Sequence, residues 1–170
     1  AEAFPLWLKL RFISMTNQYP QVLKVFEHLK EMTGSFPAEL KPNEGEKFRF
    51  GWRTKDALYE LFQLGDCLYL CGATEKHAEQ DDKKIFELLN WLNGWSHYGT
   101  FTLLYRPKKV SLEQTHFVYS DYKFEELFSF LDHFMKRMTL YYLSSDMVFE
   151  EKIPFEEAVD KANLQMQRKG

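Results

Sequence analysis

The chain has 170 residues, 45% apolar and 28% charged, which is enough for one hydrophobic core and unlike either a disordered or a membrane composition. A net charge of −3, with the basic residues scattered, argues against nonspecific binding to nucleic acid or anionic lipid. Sixteen Phe and nine Tyr are more than a small core needs, so some are expected at a surface or an interface.

The opening stretch AEAFPLWLKLRFIS either follows a cleaved signal peptide or precedes a start at Met15; residues 1–18 are read as an extension. No stretch reaches the roughly 18 to 20 apolar residues that span a bilayer, so a cytoplasmic chain is expected, with a processed secreted chain as the alternative. From Pro20, apolar residues at Val22, Val25, Phe26, Leu29 and Met32 have helical spacing, Pro20 suits the first turn and Gly34 the stop. SFPAELKPNEGE reads as a loop leading into the sheet.

KFRFGW alternates Phe48, Phe50 and Trp52 and predicts a strand. In LYELFQLGDCLYLCGA, Gly65-Asp66 is a two-residue hairpin turn with positive φ at Gly; it favours strand over helix for 57–64 and gives three antiparallel strands. Cys67 and Cys71, the only cysteines, sit roughly 13 Å apart on such a strand, too far to bond, and are read as small reduced core residues.

An aspartate caps KKIFELLNWLNG, where Ile85, Leu88, Leu89 and Leu92 form one helical stripe, Phe86 widens it and Gly94 ends it. TFTLLY (100–105) and VSLEQTHFVY are a strand pair joined by RPKK. SDYKFEELFSFLDHFMKRMTLYYL is the strongest helix, with Ser120 or Asp121 as its cap, and Pro154 starts a last one, FEEAVDKANLQMQ. The fold class is α+β: an antiparallel five-stranded sheet with helices on one face, order α-βββ-α-ββ-α, plus a C-terminal helix. The expected division is residues 1–18 as extension, 19–143 as the α+β domain and 144–170 as a C-terminal appendage.

The run NWLNGWSHYGTFTLLY concentrates aromatics without lining them up. Trp91 ends a helix, Trp95 and Tyr98 fall in the connection, and Phe101 and Tyr105 lie on a strand. Core plus a helix-to-strand corner is the leading reading; a pocket around Trp91, Trp95, His97 and Tyr98 is the other. Phe86 and Trp91 point away from the centre of the helix stripe, so a surface beyond the five-strand core is expected to cover Trp91, either a second subunit or residues 155–167.

No catalytic motif stands out. There is no G-x-S-x-G elbow and no glycine-rich phosphate loop. His28, His77, His97, His116 and His133 have no partner at metal-ligand spacing, and His77, beside Glu75 and Glu79, reads as solvated. Asp81-Asp82 and Glu150-Glu151 read as a cap and a wet face. Phe48, Arg49, Phe50 and Trp52 give a faint version of an RNA-binding sheet, contradicted by the acidic balance. No catalytic, cofactor or metal residues are assigned.

The initial helix, the strand trio, KIFELLNWLNG with its Asn-containing end (Leu89-Asn90 to Asn93-Gly94), the hairpin and the Phe- and Leu-rich FEELFSFLDHF together resemble the class I type III secretion chaperone fold and the related YbjN-type sensory transduction regulators, over about residues 19 to 143. The resemblance implies a bacterial, non-enzymatic, generally dimeric protein that holds partner segments on apolar grooves, without cofactor, nucleic acid or membrane. The expected function is therefore a protein-binding domain, chaperone-like or regulatory and homodimeric. The alternatives are an immunity or antitoxin-type protein facing a basic toxin, and a small-ligand sensor using the aromatic pocket.

Overall fold

The computed structural model describes residues 20–34, 37–94, 99–117 and 124–168. Helix α1 (Pro20–Thr33) ends as its sequence dictates: Gly34 takes a φ of 80° and its N–H reaches the Lys30 carbonyl at 2.8 Å. The strands are β1 (Ala38–Glu39), β2 (Glu46–Arg53), β3 (Leu58–Leu64), β4 (Cys67–Thr74), β5 (Thr100–Tyr105) and β6 (Lys108–Phe117). Helix α2 (Asp82–Gly94) lies between β4 and β5, and α3 (Phe124–Phe149) and α4 (Phe155–Gln167) close the chain.

Among the described residues the sheet has six antiparallel strands in the order β1-β2-β3-β4-β6-β5, one more than the five expected. The addition is β1, two residues inside the predicted loop, paired through Ala38 and Gly51 and through Glu39 and Phe50. A two-residue strand is too short to show period-2 alternation, so its pattern carries no signal. Residues 58–64 are a strand, and Gly65 turns the hairpin at φ 59°. Gly65 alone of the turn pair has positive φ, the pattern of a type II′ turn.

One face of the sheet carries the core. Phe48, Phe50, Trp52, Tyr59, Leu61, Leu68, Leu70, Val110, Leu112, Phe101 and Leu103 alternate inward and are buried. Phe26 of α1 meets Phe50 edge-on at 4.4 Å, and from α3 Phe134 meets Tyr59 at 6.1 Å and Tyr141 meets Phe101 at 6.0 Å. Gly72 permits this packing: a Cβ there would lie 2.9 Å from the Tyr59 ring and 3.1 Å from Phe134.

Helix α3 buries Leu131, Phe134, Met138, Tyr141, Ser145 and Val148, a stripe at three- and four-residue spacing that keeps one side against the core. Its 26 residues run straight through the expected boundary between 143 and 144, and α4 packs back on it. Residues 144–149 continue the same apolar stripe, so the appendage has no start at 144. The predicted caps Ser120 and Asp121 lie outside the described residues, whereas α4 begins after Pro154 at Phe155 as expected. Among the described residues no helix is long and apolar enough to cross a membrane.

Candidate functional site

The aromatic run from Asn90 resolves into a corner held by two polar side chains. Asn93, in the last turn of α2, accepts the Phe101 N–H at 2.8 Å and donates to the Phe101 carbonyl at 3.0 Å, as a neighbouring strand would. Arg137 of α3 reaches the same corner and donates to the Leu92 carbonyl at 3.1 Å and the Gly99 carbonyl at 2.8 Å, with its guanidinium 4.9 Å from the Phe101 ring centre. Burial lowers its pKa to about 10, because a desolvated cation is costly even when its hydrogens are used. Phe101 is buried beneath this corner, so that part of the run is architecture.

Of the residues expected to form an interface or pocket, Trp95, His97 and Tyr98 lie outside the described residues. Phe86 is exposed, and Trp91 is half-buried at the margin of the core beside a shallow depression shared with Glu87, Asn90 and Gly94. At roughly 100° per residue, Phe86 and Trp91 are about 140° apart on α2 and flank its buried stripe on opposite sides. The structure does not bring these two into one patch. Helix α2 does pack against α4, so residues 155–167 supply part of its surroundings.

The second face of the sheet, away from the helices, is only partly polar. Arg49, Phe62 and Tyr69 stand opposite one another across β2, β3 and β4. The Arg49 guanidinium lies 4.2 Å over the Phe62 ring, which stacks on Tyr69 at 5.0 Å with 4° between planes. The arginine is not available to a phosphate: it makes a two-bond fork with Glu46 and a 2.6 Å bond to Glu60. That fork holds the Glu46 carboxyl down at about 2. Phe48, Phe50 and Trp52, the aromatics of the faint RNA-binding pattern, face the core, because alternation in β2 leaves only Arg49 of that set outward.

Around the stacked row the face is apolar at its ends and acidic in the middle. Leu64, Cys67 and Phe117 form one row in register, and Leu58 and Leu104 stand towards the other end. Leu58, Leu64 and Leu104 are each more than two-fifths exposed and Phe117 is 58% exposed. Glu60, Cys71 and Glu113 make the middle row, and burial beside the two carboxylates pushes the Cys71 thiol up to about 11. Cys67 and Cys71 are free, as expected, but they line this outer face rather than the core. A cleft of about 700 Å³ runs from Phe62, Tyr69 and Cys71 past Glu113 and Thr115 to His116 and Phe130.

A separate cluster sits where the β4–α2 connection meets the end of α3. His77 is not solvated beside Glu75 and Glu79: its side chain is 10% exposed, and its Nε2 lies 2.7 Å from Asp146 Oδ1 and 3.5 Å from Glu150 Oε1. Sequence spacing could not show this, since the partners come from an element roughly seventy residues further on.

No family model and no curated protein matches the chain. Two solved structures share part of its outline: YbjN from E. coli, a candidate transcription regulator, at TM-score 0.48 and 8% identity over 85% of this chain and 93% of that one; and an uncharacterized protein from Methanothermobacter thermautotrophicus, at TM-score 0.48 and 15% identity over 69% of this chain and 91% of that one.

Proposed function

We propose that this chain is a non-enzymatic protein-binding domain, chaperone-like or regulatory, that holds a partner polypeptide on the open face of its sheet. The observation that carries the reading is the set of leucines left in water at the two ends of that face: Leu58 at 42%, Leu64 at 43% and Leu104 at 42% exposed, with the Phe62–Tyr69 stack between the two on β3. Several large apolar side chains left in water on one face of a domain favour an interaction site there. The acidic row of Glu60 and Glu113 across its middle favours a partner segment whose apolar residues flank a basic one.

Self-association belongs to the same proposal and uses a different surface, the flank of α2 bearing exposed Phe86. The partner reading is tested by isolating the protein from its native host and identifying what travels with it. The wild type should retain a polypeptide that the double variant Leu58→Glu/Leu64→Glu loses, while its circular dichroism spectrum shows it still folded, both positions being partly exposed. A folded double variant that still carries the same polypeptide would sink the reading.

A further inference from the structure

We infer that His77, Asp146 and Glu150 form a binding site for a first-row divalent transition ion, of which zinc is the natural probe. Among the described residues this is the one group of three whose ligand atoms all fall within 4.8 Å of one another. It is independent of the partner-binding reading, since none of its residues belongs to the open sheet face.

The site is built on two elements. Asp146 and Glu150 are four residues apart at the end of α3, where the Glu150 N–H still bonds to the Asp146 carbonyl at 2.9 Å, so their side chains rise on one side of the helix. His77 is brought over them by the tight turn after β4: the Ala78 N–H bonds to Glu75 and the Gln80 N–H to His77, and Ala78 is buried. Tyr141 anchors that turn through a 2.6 Å bond to the Lys76 carbonyl. The imidazole lies 5.4 Å from the Phe149 ring, which fixes its plane with Nε2 towards the carboxylates.

The donor spacing suits a small ion. With zinc–nitrogen and zinc–oxygen bonds of about 2.0–2.2 Å, tetrahedral ligands stand roughly 3.4 Å apart. The 3.5 Å separation of His77 Nε2 from Glu150 Oε1 meets this already, and the 2.7 Å contact to Asp146 opens by under about 1 Å as an ion takes the place of a shared proton. Lys76 Nζ holds the other Asp146 oxygen, Oδ2, at 2.9 Å, the kind of outer contact that aims a ligating carboxylate. Its charge leaves the cluster with a single net negative charge, so binding is moderate rather than tight. One imidazole with two carboxylates favours zinc and its neighbours over calcium or magnesium. Glu150 is 65% exposed, so the fourth position opens to water.

Calorimetry with Zn²⁺ on the full untagged chain should show one ion per chain. Glu150→Gln and Asp146→Asn should each lower the affinity by about tenfold or more while the circular dichroism spectrum stays that of the wild type. Glu150 is exposed enough that its variant folds, so the test survives if Asp146→Asn does not. Co²⁺ should give ligand-field bands without a sulfur charge-transfer band, and a Cys67→Ser/Cys71→Ser background should leave binding unchanged. The inference is overturned if the wild type takes up no saturating ion, if Glu150→Gln binds as tightly as wild type, or if binding follows the cysteines.

Discussion

Two arginines in this protein are used up inside the fold. Arg137 is 7% exposed and supplies hydrogens to two carbonyls at a corner. Arg49, the basic residue of the faint RNA-binding pattern, is consumed by Glu46 and Glu60. The Glu46 pair has a pH signature whose sign is fixed. The carboxyl is lowered from 4.5 to about 2 in the folded chain, chiefly by its bonds to Arg49, so its contribution is present above 4.5 and lost as pH falls towards 2. Urea unfolding of wild type and Glu46→Gln should differ at neutral pH and converge between those values. A gap that persists to pH 2 would show that the pair acts by packing rather than by charge.

At the scale of elements the sequence was legible wherever periodicity or punctuation was strong. Pro20, Gly34, Gly65 and Pro154 each stand at an element boundary, and the stripe of Ile85, Leu88, Leu89 and Leu92 is the buried side of α2. What stayed hidden was short or non-local: β1 has two residues, the end of α3 depends on α4 packing against it, and His77 acquires its carboxylates only through the tertiary fold. Aromatic surplus predicted rings at a surface, and Phe86, Tyr105 and Phe117 are exposed, while Trp95, His97 and Tyr98 of the expected pocket lie outside the described residues. The α2–β5 corner shows how a single residue can join elements. Asn93→Ala removes both bonds to the backbone of buried Phe101 and should cost about 2–3 kcal/mol in urea unfolding, with faster hydrogen exchange at the Phe101 amide. An unchanged exchange rate there would mean that Arg137 holds the corner alone.

For the whole molecule, the two proposed contact surfaces are separable. Phe86 is 44% exposed while Trp91 is half-buried against the core, so Phe86→Glu is the cleaner probe of self-association. In light scattering the wild type should have twice the mass of Phe86→Glu, whose circular dichroism spectrum stays that of the wild type; equal masses would remove the homodimer from the proposed function. The strand order carries a consequence in time. β2, β3 and β4 connect through adjacent turns, and so do β5 and β6, but β4 meets β6 only after α2 and β5 have been made. Two locally closed units must find each other along that one eight-pair seam, and loop closure has to be met before the seam returns any contact. Zipping of β4 to β6 is expected to limit the folding rate, so in stopped-flow chevrons substitutions along it should slow folding where those in the hairpins chiefly hasten unfolding.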